Sequence, residues 1–274
     1  MPALIIDENN YQAQITERLD RLDLTAGEPL AGCLPRRSEY GCCRHVAKAT
    51  DFITPIPREE WADLIKAGQG TFLHDLCKDK LPCHDQGGTN YCWAHGPTRA
   101  AEVLPVADGQ DPVILSAESV AVPITGGRNR GGYPEDALHQ LRNHGACEQS
   151  YWPLNDRDES NAKAGWEENR KLYRLIRWVD LNSFDMQMTL ALLRYPVPIG
   201  LSWWTHCVCQ LDPIHFGGKD FGIGIDNSHG ADWGDNGYGI LTERRGTADI
   251  GAFAPITENF REKLAALKKD LGIK

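Results

Sequence analysis

No stretch of the 274 residues approaches the eighteen consecutive apolar positions of a membrane span. The opening run, Met1-Pro-Ala-Leu-Ile-Ile, has neither the basic flank nor the long apolar centre of a secretory leader. The expectation is a chain with no membrane role, kept in a reducing compartment such as the cytoplasm or packaged from one. Positive charge is also in short supply. There are 29 Lys and Arg against 38 Asp and Glu, a net charge of −9. That argues against a general phosphate-backbone binder, which needs a basic face. No internal repeat or low-complexity block is present.

Cysteine is not scarce. There are nine: Cys33, Cys42, Cys43, Cys77, Cys83, Cys92, Cys147, Cys207 and Cys209. An odd count leaves at least one unpaired, and without a leader free thiols are the default. Cys33, Cys42, Cys43 and His45 match no standard zinc spacing, and the three cysteines are read as thiols rather than part of a metal knuckle.

The pattern divides the chain. Ile15, Leu19 and Leu22 predict a short amphipathic helix over residues 11–23. Glycine and proline make residues 26–57 irregular. Helix signals follow from Pro57, from about Cys92, from Pro134 to Gly145 and from Ser183 to Tyr195. Short strand-like runs then begin at Val197, Cys207, Phe221 and Tyr238. Pro213, Gly217 and Gly218 predict a lengthened hairpin loop between His206 and Asn227. Helices first and strands later imply an α+β fold. The division expected is an N-terminal extension at 1–56, a main domain at 57–256 and a C-terminal amphipathic helix at 257–274. That helix carries Phe260, Leu264, Leu267 and Leu271 on one face.

Residues 85–94 read Asp-Gln-Gly-Gly-Thr-Asn-Tyr-Cys-Trp-Ala. One short segment thus offers a nucleophilic sulfur, Cys92, and an amide donor for an oxyanion, Gln86. A thiol needs help to ionise, and a helix N-terminus with a nearby imidazolium is the usual means. His206, in Trp-Trp-Thr-His-Cys-Val-Cys, stands out among the histidines; His84 and His215 read as solvated loop residues.

Three further segments carry a resemblance. Asp226-Asn-Ser-His-Gly-Ala-Asp-Trp-Gly-Asp-Asn-Gly-Tyr resembles the asparagine segment of papain-like cysteine peptidases. Leu115-Ser-Ala-Glu resembles their Leu-Ser-x-Gln segment, and Gly131-Gly-Tyr-Pro their cleft segment. With Gln86, Cys92 and Trp93, the matches run in the right order over roughly residues 81–256. The resemblance implies a two-lobed fold, helical first lobe and antiparallel β-barrel-like second lobe, with the cleft between them. It implies Cys92 as nucleophile, His206 as its ion-pair partner and Asn227 as the group that orients the imidazole. Gln86 and the Cys92 N–H would form the oxyanion hole. Gly131, Gly132, Tyr133, Pro134, Trp204, Cys207 and Trp233 would bind substrate, a peptide or protein. No metal or organic cofactor is implied.

The departures from the family pattern are also specific. Thr89 and Asn129 stand where the family commonly places two bonded cysteines. His229 replaces the tryptophan that covers the asparagine–histidine pair. Pro97 predicts a kink in the central helix, and Tyr91 with Asn90 puts bulk beside the nucleophile. Two other readings stay open. The chain is a structural component of a larger assembly, such as a virion, with activity reduced or lost; or its thiol serves an amidase or cross-linking reaction. Residues 1–56 would serve as an inhibitory segment, a wrap around the domain or an anchor to a partner.

Overall fold

The computed structural model describes residues 3–22, 31–36, 48–51 and 53–256, with Glu262, Ala265, Ala266 and Lys269 of the tail. Cys42, Cys43, His45 and the apolar face expected of the tail lie outside the described residues.

The chain opens with a short strand, β1 (Leu4–Ile6), and α1 (Tyr11–Arg21). The helical half follows: α2 (Arg58–Ala67), α3 (Leu73–Cys77), α4 (Cys92–Ala107), α5 (Glu118–Thr125), α6 (Pro134–Asn143) and the single turn α7 (Trp166–Asn169). Then come β2 (Arg177–Leu181), α8 (Phe184–Leu192), β3 (Val197–Leu201), β4 (His206–Gly217), β5 (Asp220–Asp226), β6 (Tyr238–Thr242), α9 (Glu243–Gly246) and β7 (Gly251–Ile256).

The α+β expectation holds. The strands form one seven-stranded sheet in the order β1-β6-β5-β4-β3-β7-β2. The sheet is open rather than closed into a barrel. All neighbours pair antiparallel except β1, which runs parallel to β6 at one edge. β3 lies between β4 and β7, and its sequence Val-Pro-Ile-Gly-Leu is buried throughout, as an interior strand requires.

The helix α4 lies against β3 and β4, so the two halves meet along it. Only Ala101, Pro105 and Ala107 of its residues are even partly exposed. Small Ala94, Gly96 and Ala100 allow that closeness: a Cβ on Gly96 would stand 2.8 Å from Cys207 Sγ. Pro97 does not break the helix, which runs unbroken over 16 residues. The extra length between His206 and Asn227 is strand rather than loop. β4 extends to Gly217 through two register shifts, and Gly217 and Gly218 take positive φ at the turn.

Asp212, fully enclosed on β4, accepts from the His74 N–H (3.0 Å) and the Tyr238 hydroxyl (2.9 Å). Burial pushes its carboxyl up to about 6 against those two hydrogen bonds. The folded state therefore binds this proton more tightly than the unfolded chain. The contribution is complete below the unfolded pKa near 4 and is lost as pH rises through about 6. Asp212→Asn is expected to raise stability by roughly 2–3 kcal/mol at pH 7 and to change little at pH 4. Urea unfolding at the two pH values measures this; an equal effect at both would refute it.

Candidate active site

Cys92 is the first residue of α4 and is fully buried. His206 opens β4 and Asn227 follows β5 directly, so neighbouring strands bring them together. His206 Nε2 lies 2.7 Å from Asn227 Oδ1, which also accepts from the Ser228 N–H at 2.8 Å. An amide oxygen taking an N–H from Ser228 fixes the amide orientation. His206 then carries its proton on Nε2 and leaves Nδ1 as a lone pair. That Nδ1 is buried and has no hydrogen-bond partner among the described residues.

The tryptophan expected over this pair is replaced by His229, and the replacement holds. His229 is buried and tilted against His206 at 4.6 Å between ring centroids. Burial, then Arg21 and Arg18, push its imidazole down to about 3, so it is a neutral flat cover. Trp204 covers another face of His206 at 4.8 Å. Trp204 and Trp233 are buried and both donate to Gln14 of α1, at 3.0 and 2.8 Å. Cys207 faces Gly96 and Cys33 and shares one buried cluster with Cys33, Cys92 and Ile250.

Gln86 is held on both sides. Its N–H donates to Ser228 O (2.8 Å), its Oε1 accepts from Ser228 Oγ (2.7 Å), and its Nε2 donates to Thr89 O (2.6 Å). Hydrogen bonds occupy the place of the absent disulfide: Asn129 accepts from the Asn90 N–H (2.7 Å) and donates to Gly88 O (3.1 Å). Tyr91 turns its bulk into the core, where its hydroxyl meets Thr125 Oγ1 and Arg128 O, each at 3.0 Å. It does not obstruct the thiol.

What fills the cleft comes from the N-terminal part. Gly132 donates to Gly32 O (2.9 Å) and accepts from the Leu34 N–H (3.0 Å), a parallel bridge centred on Cys33. The Cys33 N–H donates to Thr205 O at 2.9 Å. Thr205, the residue before His206, holds φ +47, a rare conformation for a β-branched residue. Gly131 faces Ala31 so closely that a Cβ would overlap the Ala31 carbonyl. Tyr133 and Pro134 start α6 at the end of this cleft segment. Arg36 pins the strand with ion pairs to Glu135 (3.1 Å) and Asp180 (2.7 Å). A Cβ on Gly32 would stand 2.7 Å from Cys92 Sγ and 2.6 Å from Arg18 Nη2. Arg18, buried and bonded to Asn90 Oδ1 at 3.1 Å, thus stands beside the thiol.

Burial favours the uncharged forms of both the nucleophile and its base. Burial pushes the Cys92 thiol up to about 12, although Arg18 and backbone hydrogen bonds from Cys207 and Trp93 oppose this. Burial, then His229 and Arg18, hold His206 well below its ordinary value despite the Asn227 hydrogen bond. Both partners are neutral. Reading the sequence placed His84 in solvent; it is 2% exposed and part of a polar cluster behind Cys92. Its side-chain partners, His95 and Glu102, lie 11 and 18 residues away (95 − 84 and 102 − 84), beyond any local pattern.

The arrangement of helical half, sheet and cleft is the papain-like fold of cysteine peptidases. Xylellain, a cysteine protease from Xylella fastidiosa, superposes with a TM-score of 0.62 at 16% identity, over 85% of this chain and 99% of that one. Procathepsin L 3 of Tenebrio molitor larval midgut gives 0.54 at 19% identity over 64% of this chain, and the proform of the ragweed pollen protease Amb a 11 gives 0.54 at 18% over 66%. The match spans 66% and 64% of those two chains. No family model and no curated protein sequence matches.

Proposed function

We propose that the chain is a cysteine peptidase in a closed state, hydrolysing peptide or isopeptide bonds through a thioester. The observation that carries this is the His206–Asn227 contact of 2.7 Å, which presents His206 Nδ1 as an unpaired base beside the strand segment that packs on Cys92. In an opened cleft Nδ1 takes the thiol proton. Cys92 Sγ attacks the carbonyl carbon, and the proton passes to the departing amine. Water then cleaves the thioester by the same exchange in reverse. The Cys92 N–H and the Gln86 amide are the donors for the oxyanion, one such donor being worth about 3 kcal/mol of barrier. Gly131 and Gly132 let a substrate backbone approach because neither has a Cβ. The segment around Cys33 takes that place in the closed state and acts as the inhibitor.

The test is covalent labelling by an epoxide thiol inhibitor after the segment is displaced, read by intact mass. One label is expected, absent in Cys92→Ala. No Cys92-dependent label in an opened chain would end the peptidase reading. The filled cleft favours one second reading, a structural component whose thiol stays covered, and that outcome would support it.

A further inference from the structure

Behind Cys92 four titratable side chains form one line. His95, one turn along α4, meets His84 with their Nδ1 atoms 3.2 Å apart. The far nitrogen of each ring faces a carboxylate. His84 Nε2 is 2.9 Å from Glu102 Oε2, and His95 Nε2 is 3.5 Å from Glu118 Oε1. None of the four side chains is more than 3% exposed. Glu102 in turn meets Arg99 (3.0 Å), and Arg99 meets Asp226 (2.6 Å), the residue before Asn227.

Counting protons along this line gives a definite answer. Two Nδ1 atoms at hydrogen-bonding distance need one N–H and one lone pair between them. One proton is therefore shared at the centre, between the two rings. Removing it sets lone pair against lone pair; adding another sets N–H against N–H. Either change costs a contact where no water can replace it.

We propose that His84 and His95 are positioning residues which share one proton, and that this pair holds the Cys92 helix in register with the Asn227 strand. The mechanical links are direct. His84 O accepts from the Gly230 N–H at 3.0 Å, and Gln86, two residues on, is bound to Ser228. His95 rides on the helix that begins with Cys92. The charged and titratable groups around the pair are Glu102 and Arg99 on α4, Glu118 on α5, Asp226 on β5, His206 on β4 and His229 after β5. Arg18 on α1 bears on those last two histidines. Protonation of the line as a whole belongs to the coupled groups, not to one ring. The proposal deepens the peptidase reading and rests on it for its kinetic arm alone.

The decisive measurement is nitrogen NMR of [15N]histidine-labelled chain carrying Cys92→Ala, at neutral pH, with signals assigned through His84→Gln and His95→Gln. One of the two Nδ1 atoms of His84 and His95 is expected to be protonated and the other bare; both protonated or both bare would overturn the proposal. In the chain with Cys92 intact and the cleft opened, His95→Gln is expected to lower kcat on the order of tenfold to a hundredfold with KM little changed, and to displace the pH profile of Cys92 alkylation. An unchanged pH profile refutes the positioning role. If no peptide is ever turned over, the peptidase reading fails while the nitrogen count still decides the pair. The same count decides it if His95→Gln does not fold.

Discussion

Gly32→Leu is expected to speed alkylation of Cys92 by about a hundredfold at pH 7. Any side chain at position 32 meets Cys92 Sγ and Arg18 Nη2 at under 3 Å, so the strand cannot keep its place. The thiol, held at about 12 by burial, then relaxes toward the ordinary value near 8.5. The thiolate fraction at neutral pH rises by roughly three and a half orders of magnitude (12 − 8.5). A less basic thiolate is a weaker nucleophile, with a Brønsted slope near 0.4–0.5, which takes back about half of that gain on a logarithmic scale. The net is about two orders, before any ion pair with His206 adds to it. Iodoacetamide followed by intact mass measures the rate. Cys83, half-buried and pushed up to about 12 by its own burial, is the internal control and should not change. Equal Cys92 rates in the two chains would show that the segment does not govern the thiol.

Arg99→Met carries the largest expected loss of stability, about 3–5 kcal/mol. The guanidinium is nearly enclosed and serves three partners: Asp226 Oδ2 at 2.6 Å, Glu102 Oε2 at 3.0 Å and Pro82 O at 3.0 Å. Methionine fills similar space but leaves two buried carboxylates without their cation. Desolvation is then uncompensated for both. The melting temperature should fall by roughly 10 °C. The double variant Arg99→Met/Asp226→Asn should recover part of that loss, because one stranded charge is gone. A single variant as stable as the parent would contradict the burial argument.

Much of the site was legible because its parts are short, ordered and chemically specific. Cys92 at a helix start, His206 opening a strand and Asn227 in a glycine-rich segment were each visible as residue type plus neighbours. The sheet was half legible: β3 to β6 announced themselves as apolar runs. β1 has three residues, β2 carries Arg177 and Asp180, and β7 reads Gly-Ala-Phe-Ala-Pro-Ile, so none shows a strand period. An inhibitory role was one reading of residues 1–56, but the run within them that occupies the cleft was not legible. Its binding uses backbone groups of Gly32, Cys33 and Leu34, and backbone groups leave no mark on composition. His84 was misplaced for a related reason. A histidine declares its surroundings only through partners, and these arrive from Glu102 and from another histidine on a different segment. Tyr91 and Pro97 looked like obstacles because side-chain direction and helix continuity are decided by packing, here by Thr125 and the close-packed α4.

β1 pairs along β6, and α1 sends Arg18 and Gln14 into the protein before the chain reaches Ala31. The strand in the cleft is therefore leashed to the body it covers. Dilution cannot remove such an occupant: its local concentration is set by the covalent connection, whatever the protein concentration. Opening should follow first-order kinetics, independent of how much chain is present. A competing peptide must outbid a neighbour that never leaves, so tight binding alone will look weak until the leash is cut.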